Sequence, residues 1–294
     1  MRRFYHLGGA LITLASIGFV VLAIAKSYGN LPETIYSGEF VGLIVCLGLA
    51  YAGINQFLGA AWYSLLFGFG RGDLDLPRAL AIFNRTQIYK YLPGNVFHMV
   101  GRYAMANKAG APHTALSLAQ MGELALVLLA ALTVAGLFSK SVLVASLGHY
   151  GLSDPIYVGL LPLAVAVAGF VIWKVGLVPA DLRAVLSLLA AIGLYLLFII
   201  SNAFVAVIVA KWIGSEGLSV AQIIAAASTA WLVGFVVPGA PGGLGVREAV
   251  TIAGLTALGL PTATATAVAV GHRIVTISGD ALGALFEIVL RRWH

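Results

Sequence analysis

Five basic side chains stand inside stretches of chain that are otherwise apolar: Arg85, Lys90, Arg102, Arg247 and Arg273. A charge facing lipid at the centre of a membrane helix costs about 2.5–3.5 kcal/mol. Groups in such places are expected to turn inward and find partners, although Lys90 and Arg102 could also reach along their stems to the interface. Acidic residues are at hand. Glu248 follows Arg247 directly, Glu123 lies within an apolar run, and Asp280 stands seven residues after Arg273, two turns along one helix face. His98 and His272 add two imidazoles to the same stretches. Carboxylates here would neutralise buried arginines, and a carboxylate or histidine could also exchange a proton with either side. Several cations gathered in one place suit a phosphate, which arginine grips through two parallel hydrogen bonds. The chain shows no zinc-ligand spacing, phosphate loop, nucleophile elbow or dinucleotide fingerprint. No metal, cofactor or catalytic residue is therefore expected, and the protein is not expected to be an enzyme.

The segments that carry these residues are interrupted. One reads Tyr91-Leu92-Pro93-Gly94-Asn95, the other Val237-Pro238-Gly239-Ala240-Pro241-Gly242-Gly243. In each an arginine, Arg102 or Arg247, follows the first proline by nine residues, and those prolines are 145 residues apart. Proline removes a backbone donor and glycine admits unusual dihedrals, so each break frees backbone groups that must be enclosed or wetted. Helices restarting after the breaks aim their N-terminal amides at the tip, which favours an anion there. A plain structural kink is the bland alternative. Each arm has roughly 12–19 residues, marginal for a full crossing, so two re-entrant hairpins are expected.

Composition explains why such segments need a membrane. The chain is 61% hydrophobic and 10% charged, with a mean hydropathy of +1.00; soluble domains are about a quarter charged. An all-α, polytopic membrane protein of one domain is expected over residues 1–294. Six runs are long enough to span: 7–25, 40–67, 114–138, 156–173, 184–210 and 262–290. With the hairpins between the second and third and between the fifth and sixth, the order is helix, helix, hairpin, helix, twice. An odd number of crossings per copy makes the second copy inverted, over about 1–145 and 150–294. Placing both termini in the cytoplasm puts ten Lys and Arg inside and three outside. The first run resembles a signal peptide but is long for one, and a retained anchor is expected. The net charge of +6 is not gathered on a polar segment, so no nucleic-acid partner is expected. Cys46, the single cysteine, excludes an intrachain disulfide.

The segment Tyr91-Leu92-Pro93-Gly94-Asn95-Val96 through Gly101-Arg102, then Gly110-Ala111, Glu123, and Pro241-Gly242-Gly243-Leu244-Gly245-Val246-Arg247-Glu248 resembles the lysylphosphatidylglycerol synthase transmembrane-region family of flippase-like proteins. The resemblance covers nearly the whole chain. It implies lipid translocation across a bacterial or archaeal cytoplasmic membrane, in some members within glycolipid or polyprenyl-linked glycan pathways. Two departures stand out. The chain stops at Arg291-Arg292-Trp293-His294, without the soluble aminoacyl-transfer domain of the synthases, so no aminoacylation is expected. Asn95, Val96, Phe97 and His98 stand where many relatives carry arginine, glycine and glutamate.

The expected activity is movement of an anionic, phosphate-bearing lipid between leaflets, for example a polyprenyl-phosphate sugar, a glycolipid or a phospholipid. Its headgroup would sit among Arg85, Lys90, His98, Arg102, Arg247, His272 and Arg273. The backbone at Pro93, Gly94, Asn95, Pro238, Gly239, Gly242 and Gly243 and the carboxylates Glu123, Glu248 and Asp280 would complete the site. A non-transporting subunit that anchors or regulates a glycosyltransferase is the alternative, and it predicts no enclosed polar cavity. A membrane enzyme on a lipid phosphate is a third reading, with His98 near Arg102 its sole candidate. The sequence sets no oligomeric state.

Overall fold

A computed structural model describes residues 32–92, 96–139, 181–237 and 240–290. Among them every regular element is helical and there is no strand. Eight α-helices follow one another. They are α1 Gly38–Phe69, α2 Leu76–Gln87, α3 Phe97–Lys108, α4 His113–Phe138, α5 Leu182–Ile213, α6 Val220–Val236, α7 Val246–Ala257 and α8 Thr262–Leu290.

The same punctuation occurs twice. The Ser37 side chain caps α1 through the Phe40 amide, and Asp181 caps α5 through the Ala184 amide. Both helices run for 32 residues and stop at a glycine in the left-handed region, Gly70 (φ +96°) and Gly214 (φ +103°). Only glycine takes that conformation without a Cβ penalty, so both stops are written in the sequence. Leu74 and Leu218 are buried in the two following turns. Asp75 then caps α2, and Ser219 caps α6 in a capping box with Gln222. Up to this point corresponding positions are 144 residues apart, as the bounds of α1 and α5 show. After the breaks, α3 and α7 are both 12 residues long, and their bounds are 149 apart. The starts of α4 and α8 keep that offset. The five extra residues of the second copy lie between the start of α6 and the start of α7; α6 has 17 residues against 12 in α2. One expectation is corrected by this register. Equal spacing from proline does not place Arg102 and Arg247 alike, because at an offset of 149 Arg247 corresponds to His98 and Arg102 to Thr251.

Packing has the same symmetry. Each helix–helix contact keeps a counterpart when α1–α4 are exchanged for α5–α8: α1 on α8 with α4 on α5, α4 on α6 with α8 on α2, and α1 on α5 with itself. Within that central pair Tyr51 meets Phe198 edge-on at 6.3 Å, and the Arg183 guanidinium lies 4.2 Å from the Phe67 ring centroid. Later residues of α1 thus meet earlier residues of α5, so the two run antiparallel. The core around them includes Trp62, Leu65, Leu66, Phe83, Ile199 and Ile223, each fully buried. Small residues bring backbones close: a Cβ on Gly279 of α8 would stand 2.9 Å from the Gly48 carbonyl oxygen of α1.

Three of these helices, α1, α4 and α5, are long and apolar enough to cross a membrane. Of the six expected spans, 7–25 and 156–173 lie outside the described residues. The sixth is a helix with the expected bounds, α8, yet it is not among the three. It carries threonines in its first turns, His272, Arg273 and Asp280 in its middle, and Glu287 near its end. The helices flanking the breaks are short. Twelve residues reach about 18 Å and seventeen about 25 Å, against a hydrocarbon core of about 30 Å.

Candidate functional site

Asp280 of α8 is 2% exposed and accepts from three directions. The Lys90 ammonium, on the 3-10 turn that follows α2, is 2.7 Å from Oδ2. The Tyr91 hydroxyl donates to the same oxygen, and Asn55 Nδ2 of α1 donates to Oδ1 at 2.8 Å. One cation and two neutral donors, from two elements of the first copy, thus close on one carboxylate of the second. The shared helix face of Arg273 and Asp280 does not make them a pair. Arg273 turns to α7, where its Nε is 2.8 Å from Glu248 Oε1 without an aligned hydrogen bond. Its Nη2 donates to the Gly242 carbonyl at 3.0 Å. Arg273 also lies over the Tyr91 ring, 5.6 Å from its centroid.

Across the bundle Arg102 of α3 is buried and donates from Nη1 to both oxygens of Glu123 on α4, at 2.8 and 2.7 Å. Its guanidinium lies 4.4 Å from the Phe83 ring centroid and 5.2 Å from that of Trp62, so the charge is held by a carboxylate and two aromatic faces. The two copies therefore both tie the helix after the break to the following long helix with an ion pair, but with the charges exchanged: Arg102 to Glu123, and Glu248 to Arg273.

Between these pairs lies a cavity of about 340 Å³. Its polar lining includes Lys90, His98, Arg102, Glu123, Gln87 and Arg247, and its walls include Tyr51, Phe198 and Trp231. The residues come from both copies. Arg247 differs from the other two cations. Among the described residues no carboxylate lies within ion-pair distance of it. It is shaped by packing instead. Its guanidinium lies 5.0 Å from the Trp231 ring centroid, and its stem fills the space that Cβ atoms on Gly234 and Gly243 would need. His98 Nδ1 and the Nε atoms of Arg102 and Arg247 are buried with no hydrogen-bond partner among the described residues. Apolar residues Val96, Leu124 and Val236 also line the cavity while remaining 50%, 41% and 57% exposed, so the cavity reaches the molecular surface between α3, α4 and α6. A second void of about 20 Å³, room for one water, lies beside Arg247, Glu248, His272 and Arg273.

Of the expected charged residues and histidines, Lys90, His98, Arg102, Glu123 and Arg247 line the large cavity, Glu248 and Arg273 line only the small void, and Asp280 lies behind Lys90. Two further expectations need correction. Arg85 is exposed at the end of α2 and lines neither space, because α2 turns that side of its last turn outward. His272 faces the small void, where Nε2 is 3.2 Å from the Asn202 carbonyl oxygen, and not the large cavity. Gly242 lines the cavity, and Gly243 is buried beneath Arg247. Pro93, Gly94, Asn95, Pro238 and Gly239 lie outside the described residues. The reading of residue types missed Asn55, Tyr91 and Gln87 as site residues. A neutral polar side chain in an apolar run carries no charge that forces it inward, so its type alone does not single it out. No group of three or more His, Cys, Asp or Glu among the described residues could hold a metal. Comparison of the chain with protein families, with curated proteins and with solved structures gives no match.

Proposed function

We propose that this protein is a membrane carrier that moves an anionic, phosphate-bearing lipid between leaflets. The observation that carries the reading is the cavity where Lys90, Arg102 and Arg247 converge from both copies, with Arg247 unmatched by a carboxylate among the described residues. Its size suits a headgroup; ligand sites are commonly about 300–1,000 Å³. The exposed apolar rim at Val96, Leu124 and Val236 lets acyl or prenyl chains stay in lipid while the headgroup enters. The antiparallel α1 and α5, with short helices on either side of each break, fit an inverted repeat with two re-entrant hairpins. Six spans then result if the apolar runs 7–25 and 156–173 also cross. Rocking of one copy against the other would expose the cavity to each face in turn. The resemblance to flippase-like proteins points the same way, and with it goes a bacterial or archaeal cytoplasmic membrane. A deep cavity with charged walls is not what a mere anchor for a glycosyltransferase requires.

The test is transport by purified protein in phosphatidylcholine vesicles carrying a fluorescent phospholipid, with dithionite quenching to report the leaflet. Wild type should bring the inner-leaflet label into reach of the quencher faster than protein-free vesicles, and Arg247→Ala should lose most of that acceleration. Equal rates for wild type, variant and empty vesicles would end the proposal.

A further inference from the structure

Counting charge in the cavity says more about the ligand. Among the described residues its lining holds three cations, Lys90, Arg102 and Arg247. Asp280 pairs with Lys90 at 2.7 Å and Glu123 with Arg102 at 2.7 Å. Behind the wall Arg273 and Glu248 balance each other. With the His98 imidazole counted as neutral, one positive charge is left, on Arg247. Pro93, Gly94, Asn95, Pro238 and Gly239, which lie outside the described residues, carry no ionisable side chain. In a low-dielectric interior an uncompensated charge is expensive, and so is an excess of the opposite sign. A ligand with one negative charge leaves the loaded site neutral; a dianion leaves it negative, against Glu123 in the wall and Asp280 behind Lys90.

We propose that the cavity is matched to a headgroup of single net negative charge, the charge of a lipid phosphodiester, with Arg247 as its principal anchor, and that it discriminates against phosphomonoester lipids. This inference rests on the carrier reading above and deepens it. Lys90 and Arg102 then act as donors at the rim of their own ion pairs, and His98 Nδ1, buried without a partner among the described residues, supplies a further hydrogen-bonding atom toward the headgroup. Arg247 suits the anchor role because Gly234, Gly243 and Trp231 confine its stem, so little freedom is lost on binding.

Titration calorimetry on the detergent-solubilised full chain tests this with three short-chain lipids. They are phosphatidylglycerol (one charge), phosphatidic acid at about pH 9 (close to two charges, well above the second ionisation of about 6 of a free phosphomonoester side chain) and phosphatidylcholine (none). Phosphatidylglycerol should bind tighter than phosphatidic acid by about tenfold or more, because like charges brought together in a desolvated site are strongly penalised. Arg247→Gln should weaken both anions and remove the preference for phosphatidylglycerol over phosphatidylcholine, and Arg247→Lys should keep the wild-type order. Phosphatidic acid binding as tightly as phosphatidylglycerol, or tighter, would overturn the charge match and leave the carrier reading standing. Phosphatidylcholine binding as well as phosphatidylglycerol, or no binding of any lipid, would remove both. The wild-type comparison needs no variant, so a misfolded Arg247→Gln would not rescue the idea.

Discussion

Lys90 is the residue on which the site turns, because it lines the cavity and is also tied to Asp280. Removing one member of a buried ion pair costs about 3–5 kcal/mol, while replacing both with apolar groups is often neutral. Asp280→Ala should therefore lower stability by about that amount, and Lys90→Met with Asp280→Leu should regain most of it. Thermal unfolding of the solubilised variants measures both, and an Asp280→Ala protein as stable as wild type would mean the pair does not form. The ions of this cluster were legible in the sequence, since a charge inside an apolar run has to be accommodated. Their partners were not. A shared helix face joined Arg273 to Asp280, yet each found its partner on another element, because buried charges are matched across helices that the sequence does not order in space.

The helices show how small residues set distance. Gly279 of α8 meets the Gly48 carbonyl and the Tyr51 ring, with a Cβ at 2.9 and 2.7 Å from them. Backbone cannot yield as a flexible side chain can, so Gly279→Ala should destabilise by about 1–3 kcal/mol. Gly53, in the middle of α1, has nothing within 4 Å of its would-be Cβ, and Gly53→Ala should be neutral or stabilising by about 0.5–1 kcal/mol. Denaturation of the two variants side by side separates close packing from helix propensity; equal effects would argue against the α1–α8 contact. The element bounds themselves were largely readable. Ser37 and Asp181, Gly70 and Gly214, and Asp75 and Ser219 repeat at 144 residues, and Gly110 and Gly259 at 149. Aligning the copies on proline at 145 hid the change of register, because proline marks where a helix breaks and not which turn follows.

For the whole molecule, the antiparallel course of α1 and α5 places the turns that follow them at opposite ends of the bundle. Asp73 and Glu216 are exposed in those turns. With Cys46 replaced by serine, Asp73→Cys and Glu216→Cys should react with a membrane-impermeant maleimide from opposite faces of sealed cells or inverted vesicles. Labelling from one face only would break the inverted arrangement. The five residues that the second copy carries between the starts of α6 and α7 have a consequence for energy. Two conformations that swap the roles of identical halves are degenerate by symmetry. Halves of unequal length remove that degeneracy, so under the carrier reading proposed above the two orientations would differ in energy even with no gradient across the bilayer, and one direction of the unloaded return would be uphill.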